Sequence, residues 1–212
     1  MPTQSTNEIP LPVRRQVATL LYREAISMDW ELRNNDEKDA QYTRWVDDPE
    51  IGGRIAQYRP LSKVRVWIKD TPMKEFDRAL EGIHEIYSDC AEQGYAGPQE
   101  ILEKAGLDGW TVKPGSVGEK PMHVTARSGQ AERYVCWGKS EKFNDLITAA
   151  LHQAFLSGGT PLIVVSSRPD ALVSEALRDE HVMKGERCGF NVVHIERSLV
   201  PRSPVRTDDA LF

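Results

Sequence analysis

The chain has 212 residues, with 27 Lys and Arg against 32 Asp and Glu, a net charge of −5, 40% hydrophobic residues and 28% charged ones. That is too apolar for a wholly disordered chain, shows no Gly-X-Y period, and with 13 Pro and 15 Gly is not low-complexity. At this length about two-thirds of the unfolded surface can be buried, in one large domain or two small ones, and the mild acidity argues against a histone-like binder while leaving room for a local basic groove.

In chain order, residues 1–12 are polar and proline-bearing, without the apolar stretch of a signal peptide. Val13, Val17, Leu20, Leu21 and Met28 then keep a helical stripe from residue 12 to about 29, with Pro12 suited to the first turn. Asn35, followed by Asp36 and Glu37, reads as an N-cap with an acidic first turn, opening a helix that carries Tyr42, Trp45 and Val46. Pro49 starts a short helix through Tyr58, weakened by Gly52-Gly53. Residues 62–68 fit either periodicity, and the helical neighbours favour a helix.

Thr71 and Pro72 open the most regular pattern in the chain. Met73, Phe76, Leu80, Ile83, Tyr87 and Cys90 alternate steps of three and four, a heptad-like seam over 72–93 that Gly94 ends. Such a seam packs on another helix, in the same chain or in a second copy, so a protein partner or self-association through it is expected. A short helix over 98–105 is closed by Gly106.

Beyond Gly106 the pattern changes. Residues 110–113, 122–126 and 133–137 are short β-rich runs separated by turns at Gly115, Gly118 and Gly129, as in a meander. A helix over 143–156 has a broad apolar face from Phe143 to Phe155, and Gly158-Gly159 ends it. Residues 162–166 form an apolar strand of the kind buried on both faces. Asp170 caps a helix from Ala171 to about Lys184, and Gly189 precedes a last strand over 190–195. The fold class is therefore α+β or α/β: a helical module over 1–97, a mixed-sheet domain of order α-β-β-β-α-β-α-β over 98–197, and a mobile tail over 198–212.

Cys90, Cys136 and Cys188 are odd in number and far apart, so neither a disulfide framework nor a Cys-x-x-Cys zinc site is expected, and a reducing cytoplasm is the simplest compartment. The longest strongly apolar run, 161–165, is far short of the roughly 20 residues of a membrane span, so no membrane contact is expected. Charge is unevenly spread: residues 1–105 carry 14 basic and 19 acidic residues, residues 106–212 carry 13 of each. Within the second half Lys113, Lys120, Arg127, Arg133, Lys139 and Lys142 stand against Glu119, Glu132 and Glu141. This window is either a solvated hairpin face or a surface for a polyanion.

The element order over 98–196 resembles the restriction-endonuclease-like, or PD-(D/E)xK, fold. The resemblance implies an acidic residue on the second strand and an (E/D)-x-K on the third, together holding Mg²⁺ that activates a water, with the lysine orienting it. Lys139 stands where that lysine would, but Trp137 takes the acidic position, and the run 122–127 holds no carboxylate. Glu100 or Glu103 matches the family's helical glutamate. An active metal-dependent nuclease therefore needs Glu119, Glu132 or Glu141 rearranged around Lys139, with Mg²⁺ as its only cofactor. A degenerate core used for DNA binding needs no cofactor, and would use Lys113, Lys120, Arg127, Arg133, Lys139 and Lys142, with Trp110 and Trp137 stacking on bases or packing in the core. That reading implies an accessory role in restriction, repair or phage (antiviral) defence; the alternative is a protein-interaction or regulatory subunit. The segment Asp208-Asp-Ala-Leu-Phe212 is similar to the peptide that docks on bacterial sliding clamps, without its glutamine.

Overall fold

The computed structural model describes residues 8–202. The chain forms a helical unit that runs to Tyr95 and resumes at Leu199, and an α/β unit over Ala96–Ser198. Helices come first and a mixed sheet follows, the expected α+β architecture.

In the helical unit, α1 (Leu11–Ser27) carries Pro12 in its first turn and buries Val17, Ala18, Leu21, Tyr22 and Ala25. Helix α2 (Asn35–Asp47) is capped one residue earlier than its sequence suggests. The Asn34 side chain accepts from the Glu37 N–H at 2.9 Å, and the Glu37 carboxylate accepts from the Asn34 N–H at 2.9 Å. This reciprocal box satisfies two backbone donors that the helix itself leaves unpaired. The glycine pair reads differently in three dimensions. A Cβ on Gly52 would lie 2.0 Å from the Val46 carbonyl oxygen, so this residue permits α3 (Gly52–Ala56) to pack closely after α2. Helix α4 (Leu61–Asp70) confirms the helical reading of 62–68 and buries Val64 and Ile68.

The long seam helix does not form. A 3₁₀ turn at Met73–Glu75 leads into α5 (Phe76–Leu80), Gly82 turns left-handed at φ 76°, and a second 3₁₀ turn at Ser88–Cys90 precedes β1 (Gln93–Gly94). Met73, Phe76, Leu80, Tyr87 and Cys90 are nonetheless buried, all in the core of this unit. Successive turns wrapped round one core satisfy the same three-and-four spacing, so the seam offers no continuous face for a second copy. His84 fixes part of the irregular path, its Nδ1 accepting from the Ile86 and Tyr87 N–H groups.

The expected mobile tail is also corrected at its start. Strand β8 (Val200–Pro201) pairs antiparallel with β1, and the Arg202 guanidinium donates to the carbonyls of Ala79, Leu80 and Ser88. Residues 203–212, including the clamp-like peptide, lie outside the described residues.

In the α/β unit, α6 (Pro98–Lys104) is followed by β2 (Thr111–Val112), β3 (Gly118–Glu119), β4 (Met122–Ser128), β5 (Ala131–Gly138), α7 (Phe143–Ser157), β6 (Leu162–Ser167), α8 (Glu175–Arg187) and β7 (Asn191–Glu196). The sheet order is β2-β4-β5-β6-β7, with the two-residue β3 paired to β4. Strands β2, β4 and β5 are antiparallel, whereas β5, β6 and β7 are parallel. One face buries Val124, Ala126, Val135 and Trp137 against Ile101 and Leu102 of α6; the other buries Cys136, Ile163 and Val165 against Phe143, Leu146 and Ala150 of α7. Helix α8 begins four residues later than expected because Asp170 accepts from the Arg168 guanidinium in a turn instead of capping. The broad apolar face of α7 is only half used: Leu151 is 48% and Phe155 87% exposed.

Arg202 adds a charged donor to three carbonyls that already accept the backbone N–H groups of Gly82, Tyr95 and Ala91, tying together this stretch of irregular backbone. Arg202→Met should lower unfolding stability by about 2–4 kcal/mol, with Arg202→Lys recovering only part of it, because a single ammonium does not reproduce the guanidinium fork. Urea titration followed by tryptophan fluorescence measures both.

Candidate nucleic-acid interface

The sheet register decides which predicted residues can act together. In an antiparallel pair, residues directly opposite share a face. Met122 lies opposite Trp137, and Ala126 opposite Arg133; His123 lies opposite Cys136, Thr125 opposite Tyr134, and Arg127 opposite Glu132. The first two pairs face α6. The other three face the α7 side, where Cys136 and Tyr134 meet the core beneath that helix.

Trp137 is therefore not a base-stacking residue: it is 1% exposed and packed against α6. Trp110 is half-buried against the same cluster. Trp137 leaves the nucleic-acid set, because its apolar area completes the core that α6 closes, whereas Trp110 keeps part of its surface exposed. Of the cations, Lys120, Arg127 and Lys142 are exposed and Lys113 and Lys139 half-buried. Lys113 Nζ contacts the Glu132 carboxylate at 2.9 Å, both side chains being more than 40% exposed. Such an exposed pair contributes at most about 1 kcal/mol and yields readily to another anion. Arg127 Nε donates to the Gly129 carbonyl at 3.0 Å. Arg133 is half-buried, its Nε donating to the Thr160 carbonyl at 3.2 Å, and burial pushes its guanidinium below the usual arginine range.

The proposed nuclease set does not converge. Glu132 lies near the start of β5 and Lys139 just past its end, about 23 Å apart for seven residues at about 3.3 Å each. Glu119 is on β3, separated from β5 by β4, and Glu141 is exposed in the 3₁₀ turn Ser140–Lys142 before α7. Among the described residues no three His, Cys, Asp or Glu side chains are grouped to hold a metal ion. Glu100 on α6 is engaged by cations of the chain: Arg197 Nε donates to it at 3.1 Å and Lys104 contacts it at 2.8 Å. Burial pushes the Glu100 carboxyl up, but the hydrogen bonds from Lys104 and Arg197 outweigh it and hold the carboxyl below its ordinary range. Arg197 is itself 1% exposed.

Two features escape a reading of spacing alone. The first is the α7-side face of β2 and β4, which no buried apolar residue from these strands covers. Next to it lies an open depression of about 420 Å³ with Thr125, Glu132, Arg133, Tyr134, Gln153 and Thr160 among its walls. Only strand alternation combined with the position of the crossover helix reveals it. The second is a histidine pair on the α7 and α8 side. His181 Nδ1 and His194 Nε2 are 3.0 Å apart, His181 stacks on Phe143 at 4.0 Å, and Ser140 Oγ lies 3.5 Å from His181 Nε2. Burial lowers the pKa of His181 and takes that of His194 down to about 4. No sequence spacing links residues on a helix and a strand in this way.

No protein-family model matches this chain, and a search of curated proteins returns no relative.

The histidine pair sets an acid limit on the fold. A histidine whose folded pKa lies below its unfolded value makes the unfolded chain the better proton acceptor. Stability is then full above about pH 6.5 and falls as the pH drops towards 4. The loss should be on the order of 1–2 kcal/mol, read as a lower melting temperature, and His194→Gln should flatten the profile over that window.

Proposed function

We propose that the α/β unit binds nucleic acid on a restriction-endonuclease-like core whose metal chemistry has been lost. The topology supports this reading: one helix and three antiparallel strands, then a crossover helix to a parallel fourth strand, with α6 and α7 on opposite faces of the sheet. The side chains at the metal positions support the loss. Pro121-Met122 occupies the place of the family's Pro-Asp, and Trp137-Gly138-Lys139 that of its (D/E)-x-K, with Met122 directly opposite Trp137. A thioether and an indole cannot replace oxygen ligands for a hard cation. The helical carboxylate Glu100 is neutralised by Arg197 and Lys104.

The observation that carries the binding reading is the set of exposed cations around the β2–β4–β5 end of the sheet: Lys113 in a weak exposed pair, and Lys120 and Arg127 in solvent. Phosphate contacts by such residues release counterions and make binding steeply salt-dependent. An accessory role in restriction, repair or antiviral defence follows from this reading. A protein-interaction or regulatory subunit is the second reading, and the unpartnered outer face of α7 favours it, since residues 146–160 hold no Lys, Arg, Asp or Glu and Leu151, Phe155 and Leu156 are exposed.

Fluorescence anisotropy with labelled duplex and single-stranded oligonucleotides separates the two. Binding at low salt should weaken steeply as salt rises. The combined Lys113→Glu, Lys120→Glu and Arg127→Glu variant should reduce the slope of log K against log salt by about three. Absence of binding to any nucleic acid at low salt would overturn the proposal and leave the protein-interaction reading standing.

A further inference from the structure

We infer that the open face of the sheet, centred on Tyr134, seats an unpaired base of single-stranded nucleic acid; this rests on the nucleic-acid reading above and specifies its substrate class. The face exists because α7 lies over β5 and β6. The core beneath it is built from Cys136, Ile163 and Val165, and β2 and β4 contribute no buried side chain to it. What those two strands turn towards this side is Thr111, His123, Thr125 and Arg127. The face is thus neither buried nor a uniformly charged solvated surface.

Tyr134 is held as a platform. It is partly buried and, like Ile147 and Ala154, packs against the core under α7. The His123 ring lies 5.1 Å away, tilted by 34°. His123 is itself braced: its Nδ1 is 2.7 Å from the Pro121 carbonyl oxygen, and a Cβ on Gly118 would lie 2.1 Å from its Cε1. Glycine at 118 therefore leaves room for the imidazole in its tilted position beside Tyr134. A ring so fixed gives up little conformational freedom when a base stacks on it.

The surroundings select the occupant. Tyr134 lines the depression of about 420 Å³, with Thr125, Gln153, Ser157 and Thr160 as hydrogen-bonding groups and Glu132 and Arg133 as the charged residues of its wall. Arg127 and Lys113 stand on the same sheet face, and Lys113 is bound only through its exposed contact with Glu132, which a phosphate can displace. An aromatic platform, polar walls and flanking cations match a base with its phosphate. A base within a duplex presents its edges and keeps its π-face stacked on its neighbours, so a ring platform reads unpaired bases.

The test uses the full chain and a labelled oligothymidylate of about 12 nucleotides, with a duplex of the same length as reference. Tyr134→Leu keeps the apolar packing and should weaken single-strand binding about 10-fold, more than any change for the duplex, while Tyr134→Phe should restore it to within about 2-fold. A second measurement needs no variant: ultraviolet crosslinking from 5-iododeoxyuridine should attach to Tyr134 in the wild-type protein. Single-strand binding unaffected by Tyr134→Leu, binding of duplex alone, or a crosslink that maps off this face would overturn the inference and leave the nucleic-acid reading intact. Failure to bind any nucleic acid would overturn both.

Discussion

A helix is about 10 Å wide, and strands lie about 4.8 Å apart, so one crossover helix covers two strands and little more. The sheet of the α/β unit has five strands along its path, and its two crossover helices both belong to the parallel half, β5 to β7. The antiparallel half is covered by α6 on one face and left open on the other. Most features of the candidate site follow from that mismatch. It keeps Tyr134 at the border between core and solvent, leaves Thr125 and Arg127 accessible, and makes the end of α7 one wall of a depression.

The same sheet packs apolar side chains at the positions that the proposed resemblance assigns to metal ligands. Where the resemblance calls for carboxylates on adjacent strands, Met122 and Trp137 instead meet across the register, Trp137 in the α6 core and Met122 packed against it. On α6, Glu100 has an arginine at hydrogen-bond distance. A guanidinium placed there supplies positive charge and directional donors without needing the convergent oxygen ligands of a divalent cation. Arg197 and Glu100 are both largely shielded from water, and the pair ties the end of β7 to α6.

Sequence pattern carried the order of elements in the α/β unit, because glycine turns separate most of its strands and α7 has a broad apolar face. It also carried α4, where helical neighbours resolved an ambiguous period. It failed where the determinants were distant in sequence. The three-and-four spacing from Met73 to Cys90 correctly identifies buried residues, but periodicity does not report continuity, and the path is broken by Gly82 and fixed by Arg202, more than a hundred residues later. Asp170 looks like a cap until Arg168 is seen to hold it. The site itself was half legible. The basic window falls on the part of the sheet that the proposal uses, but of its two tryptophans Trp137 is buried beneath α6 and only Trp110 keeps exposed surface. The facing of a residue depends on register, which hairpin spacing alone leaves open.

The return of residues 199–202 to the helical unit has a consequence for synthesis on the ribosome. The α/β unit is one uninterrupted stretch and is complete when Ser198 has emerged. The helical unit is made first, yet its β1 waits for a partner strand that is translated last. Vectorial folding therefore runs out of order here: the later unit can close before the earlier one. Until Arg202 arrives, the carbonyls of Ala79, Leu80 and Ser88 remain without their guanidinium, and the first half of the nascent chain stays unlatched while the second is already built.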